Sequence, residues 1–441
     1  MRVNLAYGKL GLEAELPDQA VVIEPRYLRG LPDEAAALRQ ALRRPVDCRP
    51  LRELAGPRDS VAVVVCDITR PMPSRRVLPV VLGELDHLDP SQITIFVATG
   101  THRANTPDEL AEMLGPEIVS RYRVVNHDAF DLGSHEYLGD LSSGGPIWIE
   151  RRFLACSVKV LTGFIEPHFF AGFSGGPKMV APGLAALESV LHLHGAAFIG
   201  HPRATWGITE SNPIHDAVRE IAARVAPDFS LDVTINKEHA ITAAFGGELF
   251  AAHRRGCAFV RETAMQSVAK PFDVVVTTNS GYPLDQNLYQ AVKGMSAAAQ
   301  IVKSGGAIVA AAECRDGLPE HGNYKDILRM VNSSEGLLDL IEAPGFQMHD
   351  QWQAQVQGIV QRKARVYLKS DGLTAEQIRG AHLLPCDDVE ETVRRLLSDY
   401  GPGATLAVLP QGPQTIPYVE SLPPVGEGRA VPSSGARTPS P

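Results

Sequence analysis

The chain has 441 residues, long enough for two or three domains at roughly 100–200 residues each and too long for a disulfide-stapled mini-protein. Its 44% hydrophobic and 21% charged residues exclude a fibrous chain or one disordered throughout, and a net charge of -9 argues against a nucleic-acid or anionic-membrane partner. The 6 cysteines stand in no metal-binding spacing, no apolar run reaches the ~18 residues of a membrane span, and no signal peptide is apparent, so a reduced cytoplasmic protein is expected.

Taken in chain order, VAVVVC at 61–66 and ITIFVA at 93–98 read as strands buried on both faces. Thr106-Pro107-Asp108-Glu109 then carries a cap, a proline at the first helical position and a glutamate three residues after the cap, which predicts a helix over DELAEML. A third strand follows at 157–161. The stretch GLAALESVLHLHGAAF reads as a helix with Leu184, Leu187, Val190, Leu191 and His194 along one side. Asn212-Pro213 opens another helix with Ile214, Val218, Ile221 and Val225 on its buried face.

After QSVAKPF at 266–272 come strands at 273–277 and 307–311, and TLAVLPQG at 405–412 reads as a last strand and loop. Between the first two of these, Asp285 is placed to cap a helix with Leu288, Val292, Met295, Ala299 and Val302 as its stripe. Alternating strands and helices predict an α/β protein of two domains with mainly parallel sheets flanked by helices. The expected divisions are an N-terminal domain over 1–270, a C-terminal domain over 271–415, and a Pro/Gly/Ser-rich tail over 416–441, expected to be disordered.

Ligands of open parallel sheets bind beyond the carboxyl ends of the strands, and four loops there are unusually polar. The first holds Asp67-Ile68-Thr69-Arg70, where the acid and the guanidinium either pair with each other or Arg70 offers its fork to a carboxylate or phosphate. The second is Gly100-Thr101-His102-Arg103, whose histidine suits acid or base work near neutral pH. The third, Gly163 to Lys178, has six glycines and prolines; its Ser174-Gly175-Gly176 is similar to an anion-cradling turn without the P-loop spacing. There His168 sits between Pro167 and two phenylalanines, which favour a neutral imidazole. Lys178 reads as a phosphate contact, a nucleophilic amine or an ordinary loop lysine. In the fourth loop's helix, Gln290 and Lys293 lie about 60° apart and away from the apolar stripe, as a carboxylate clamp or a plain polar face. No G-x-G-x-x-G follows the first strand, so a nicotinamide-dinucleotide fingerprint is not supported, and a nicotinamide-dependent oxidoreductase is the weaker enzyme reading.

Ordered across some 290 residues, DITR, GTHR, PHFFAGFSGGPK, His194, YQAVKG and DQWQ together resemble the lactate racemase family, the nickel-pincer-nucleotide-dependent 2-hydroxyacid racemases and epimerases. The resemblance implies a site in an interdomain cleft and reversible hydride transfer from C2 of a 2-hydroxycarboxylate through a 2-oxo acid. It also implies nickel held by a pyridinium-3-thioamide-5-thiocarboxylic acid mononucleotide, which separate cofactor-synthesis enzymes supply. On this likeness His102 and His168 match the catalytic bases, His194 the nickel ligand, and Lys178 the lysine that can carry the cofactor. Asp67, Thr69, Ser174, Gly175 and Gly176 are expected near the cofactor. Arg70, Gln290, Lys293, Tyr289 and Trp352 are expected near the substrate. A protein that binds a 2-hydroxyacid or the cofactor without turnover is the alternative of another class; it would need Arg70 and Lys293 but not two histidines.

Overall fold

The computed structural model describes residues 1–320 and 322–420; residues 421–441, most of the expected tail, lie outside the described residues. Two six-stranded sheets organise the chain. The first runs in the order Ile241–Gly247, Phe229–Ile235, Val158–Phe164, Val61–Cys66, Ile93–Ala98, Arg123–Asn126. All its neighbours pair parallel except the edge strand Ile241–Gly247. The second is parallel throughout, in the order Leu384–Pro385, Ala364–Lys369, Val302–Ala311, Phe272–Thr278, Leu406–Leu409, Val21–Val22.

The strands read as buried on both faces are so. Val61 to Val65 have no exposed surface, nor do Val274, Val275 and Val276. Each such aliphatic side chain contributes about 1.5–3 kcal/mol by leaving water, which is why continuous Val/Ile runs settle in the middle of sheets covered by helices. In the first sheet the chain starts at Val61–Cys66, builds outward on one side, and returns to the other with Val158–Phe164. This reversal opens a crevice above those two strands, and the loops beginning at Asp67 and Ile165 fill it. The second sheet reverses in the same way between Phe272–Thr278 and Leu406–Leu409.

Helices form where their caps predict. Thr106 and Glu109 make the reciprocal capping box of Pro107–Leu114, and the Asn212 side chain accepts from Ile214 and His215 at the start of Pro213–Val225. Three local expectations change. The helix over 183–198 begins only at Leu187 and ends at Leu193, followed by a short helix Ala196–Ile199. Its expected first turn is extended instead, because Glu150 N–H donates to Leu184 O and Ala186 N–H to Trp148 O, an alternative the helix cannot satisfy at once. Asn287, not Asp285, caps Leu288–Ala299; Asp285 is fully buried and accepts from the amides of Gly8 and Glu313. That helix stops at Ala299, and Val302 already belongs to a strand.

Strand pairing also returns both chain ends to other parts of the molecule. Val21–Val22 joins the second sheet, and Val3, Leu5, Tyr7, Ala14 and Leu16 share a core with it, so a division at residue 270 alone does not describe the N-terminal segment. Ile416–Val419, expected in the tail, is a strand paired parallel with Met265–Val268, with Ile416 fully buried. The apolar run Ile-Pro-Tyr-Val supplies the burial that holds this strand. The two halves touch through Trp206, whose indole N–H donates to Ser296 Oγ at 3.0 Å, and Gln355, which donates to Ala196 O at 2.8 Å. Among the described residues no helix is long and apolar enough to cross a membrane.

Candidate active site

The loop after Val61–Cys66 folds back as a tight turn, Arg70 N–H donating to Asp67 O at 3.2 Å. Asp67 does not pair with Arg70. Its Oδ2 accepts from His102 Nδ1 at 2.8 Å, and both carboxylate oxygens accept from the Thr69 hydroxyl at 2.9 and 3.1 Å. Burial pushes the Asp67 carboxyl up, but the hydrogen bond and charge of His102, the Arg70 charge and the Thr69 hydroxyl outweigh it and hold the group below the usual carboxylate range. Asp67 is thus an ionised, buried orienter of the His102 imidazole, whose Nε2 has no hydrogen-bond partner among the described residues. Arg70 is exposed and donates to Thr69 Oγ1 at 2.8 Å, which leaves the rest of its fork open.

His168 has the opposite polarity. Its Nδ1 accepts from the amides of Ala171 at 3.2 Å and Phe170 at 3.5 Å, so the ring proton is assigned to Nε2. The ring stacks on Phe169 and meets Phe170 edge-on, at centroid distances of 5.0 and 4.5 Å. Burial, with Lys178, Lys293, Arg70 and His194 around it, keeps this imidazole neutral well below its usual pKa. Nε2 lies 3.3 Å from Lys178 Nζ. Burial, assisted by Arg70, brings the Lys178 amine down to about 7, so near neutral pH much of it is a neutral amine that can accept the His168 proton donor.

Ser174, Gly175 and Gly176 make the turn before Lys178, but the polar groups of the first and last are already used. Ser174 Oγ donates to Phe164 O at 2.9 Å, and Gly176 N–H donates to Asp232 Oδ1 at 2.9 Å. In this structure the turn places Lys178 and is not an open anion cradle.

His194 ends the helix Leu187–Leu193 and is 8% exposed. Its Nδ1 donates to Val190 O at 2.8 Å, and burial brings it down to about 4, so the ring is neutral with a lone pair on Nε2. That is the state in which imidazole binds a metal, with the second nitrogen fixed by a backbone carbonyl. Among the described residues no group of three or more His, Cys, Asp or Glu side chains is placed to hold a metal ion.

The second half brings its residues to the same place. Trp352 lies 4.9 Å from the His194 ring, and its indole N–H donates to Tyr289 OH at 3.2 Å. Gln290 and Lys293 are half-buried on Leu288–Ala299, and neither side chain has a hydrogen-bond partner among the described residues. Burial and the Arg70 charge bring Lys293 down to about 8. Glu166, which no motif singled out, is the acid that faces Arg70, Lys293 and Lys178. His349 was missed too. It meets Trp352 edge-on at 5.0 Å, and only its place beside the Asp350-Gln351-Trp352-Gln353 stretch could have pointed to it.

With this geometry in hand, comparison with known proteins gives a consistent result. Residues 7–207 match the lactate racemase N-terminal domain and residues 267–416 the lactate racemase C-terminal domain. A lactate racemase of Thermoanaerobacterium thermosaccharolyticum is 35% identical over 421 residues, covering 94% of this chain and 98% of that protein. One from Lactiplantibacillus plantarum is 34% identical over 417 residues, 93% of this chain and 98% of that one. The structure of the T. thermosaccharolyticum lactate racemase apoprotein aligns with a TM-score of 0.87 at 34% identity, over 95% of this chain and all of that one. A Thermotoga maritima protein shares the fold, with a TM-score of 0.67 at 19% identity over 89% of this chain and all of its own. The chain belongs to the lactate racemase family and is an enzyme of the isomerase class.

Proposed function

We propose that this enzyme inverts C2 of a 2-hydroxycarboxylate, with lactate as the first substrate to test because its relatives carry that name. The observation that carries the reading is the pair of imidazoles in complementary states. His102 Nδ1–H is given to Asp67, which leaves a base at Nε2, whereas His168 accepts at Nδ1 and holds its proton at Nε2. One is set to take a hydroxyl proton and the other to supply a donor to the oxygen on the opposite face. A binding protein needs neither.

The residues fit a nickel-pincer nucleotide delivered by separate synthesis enzymes. His194 would offer Nε2 to the nickel, the nucleotide supplying the remaining ligands. Lys178 offers an amine neutral enough to form a thioamide tether. The turn Ser174-Gly175-Gly176 leads directly into Lys178, and Asp67 and Thr69 would serve the same group from the loop that hydrogen-bonds His102. When bound, that group supplies a reversible acceptor for the C2 hydride.

The chain's own residues do the rest. Arg70, Lys293 and Gln290 bind the carboxylate and fix C2 in place. His102 takes the hydroxyl proton at Nε2, and Asp67 stabilises the imidazolium that forms. The C2 hydrogen beside a carboxylate is a poor acid, so on this reading the histidines handle oxygen-bound protons only. After the planar 2-oxo acid turns, its oxygen accepts a hydrogen bond from His168 Nε2–H as the hydrogen returns to the other face, and the proton held by the His102 imidazolium is given back to that oxygen, which leaves both imidazoles neutral. Tyr289, Trp352 and the phenylalanines beside His168 cover the substrate and keep water from it.

The test is to produce the chain together with the cofactor-synthesis enzymes and offer it single enantiomers of a panel of 2-hydroxy acids. Nickel bound at one per chain and interconversion of lactate or a related acid is the expected result. Bound cofactor with no inversion of any panel member would leave the binding-protein reading in its place.

A further inference from the structure

The turn that presents Lys178 is gripped from below by two buried side chains that take no part in the site just described. Asp232 lies on Phe229–Ile235, next to Val158–Phe164 in the first sheet, and has no exposed surface. Its Oδ1 accepts from Gly176 N–H at 2.9 Å and its Oδ2 from Ser230 Oγ at 3.0 Å. No Lys, Arg or His nitrogen lies within ion-pair distance of it among the described residues. On the other side, His253 of Leu249–Ala264 is 4% exposed and hydrogen-bonds through Nε2 to Ser174 O at 2.9 Å. Between these two contacts lies Gly175, at φ +74, followed by Gly176 at φ +50.

The fit is close on both sides. A Cβ at Gly175 would stand 2.7 Å from Asp232 Oδ1, and one at Gly176 would stand 2.5 Å from the His253 ring. A buried carboxyl is costly to hold, and His253 is the opposing group that faces it; an apolar residue here would leave the Gly176 amide and the Ser230 hydroxyl without their acceptor. What Asp232 does that an apolar residue cannot is accept the Gly176 amide. His253, from the other side, donates to the Ser174 carbonyl. Lys178 follows in the single 3-10 turn Gly176–Met179, so its Nζ stands 3.3 Å from His168 through that same backbone.

We propose that Asp232 and His253 are positioning residues for Lys178: together they clamp the Ser174–Gly176 peptide and hold the amine in the half-buried place where it meets His168. The inference rests on Lys178 as the cofactor-holding lysine, but its consequence belongs to the lysine alone and can be read without cofactor. A released turn lets Lys178 swing into water, where its amine is protonated at neutral pH and reacts slowly.

The test is competitive acetylation of the cofactor-free protein at neutral pH with limiting acetic anhydride, read by peptide mass spectrometry as Lys178 relative to the exposed Lys270. Asp232→Ala is expected to lower that ratio about tenfold, while Asp232→Asn, which keeps an oxygen for the Gly176 amide, retains most of it. His253→Ala is expected to lower it as well, and added imidazole to restore it. Imidazole can reach the space left behind because His253 lines a pocket of about 370 Å³ together with His215, Arg219, Phe250 and Arg254. If Asp232→Ala does not fold, His253→Ala with and without imidazole decides. A folded Asp232→Ala or His253→Ala protein with the wild-type ratio would overturn the proposal, as would a loss in His253→Ala that imidazole does not reverse. A normal ratio response with no racemisation of any acid would instead count against the function above and leave the clamp standing.

Discussion

The two halves of the site are finished to different degrees. On the first sheet each of the three histidines of the crevice has a protein partner that fixes a ring nitrogen: Asp67 for His102, the Ala171 amide for His168, Val190 O for His194. On the second half, the Gln290 and Lys293 side chains have no hydrogen-bond partner among the described residues, although Glu166 faces Lys293. Proton transfer needs groups whose protonation is set before the substrate arrives, whereas a carboxylate clamp has to keep its donors free for the ligand. On the proposed reading the first half carries the chemistry and the second, together with Arg70, the recognition.

Substitutions should separate the halves in kinetics. The largest effects are expected from His102→Ala and His168→Ala in cofactor-loaded protein, each lowering kcat for enantiomer interconversion by ~10³-fold or more while nickel stays bound. A histidine variant with near-normal kcat would remove that residue from the proton path. Next comes Asp67→Asn, which keeps the shape but loses the charge that stabilises the His102 imidazolium; about a 10²-fold fall in kcat with little change in KM is expected. On the recognising half the pattern should invert. Lys293→Met is expected to raise KM ~10–30-fold, for the loss of one charge-assisted hydrogen bond, with a smaller change in kcat. Equal losses in kcat and KM at Lys293 would mean that it also serves the transition state and would blur the comparison.

Acid should weaken the first half through a histidine outside the site. His127 and His135 are fully buried and joined Nε2 to Nε2 at 2.9 Å, and Thr99, just ahead of the His102 turn, donates to His127 O at 2.8 Å. Burial and the neighbouring His135 bring His127 down to about 4, against the opposing charges of Glu150 and Asp128. The unfolded chain binds this proton near pH 6.5 and the folded one only near 4, so stability from the neutral state is present above about 6.5 and lost as pH falls toward 4. Between pH 7 and 5 the loss from His127 is on the order of 2 kcal/mol. Urea melts at the two pH values measure it, and His127→Gln should reduce the difference.

Much of this was legible before any coordinates. The strands at 61–66 and 93–98 have the bounds that the apolar runs predict, because a parallel strand covered on both sides needs an unbroken run and little else. The site loops were legible for a related reason: polar clusters right after such strands have few structural uses. What sequence hid was pairing at a distance. Asp67 reads as well with Arg70, three residues away, as with His102, 35 residues on, and only the crevice between strands decides for His102. Asp232 sits inside a strand, where an acid gives no signal without the Gly176 amide that it meets 56 residues away. The late start of the helix at Leu187 likewise depends on a strand, Pro146–Glu150, that competes for its backbone.

In the proposed reaction the histidines move only oxygen-bound protons while the C2 hydrogen stays within the site. Cofactor-loaded protein supplied with L-lactate deuterated at C2 in ordinary water tests this directly, by mass spectrometry of the D-lactate formed at low conversion. Retention of most of the deuterium in the inverted product is predicted. Product that carries solvent hydrogen at C2 from the earliest time points would contradict it, and would make one of the two imidazoles a carbon base.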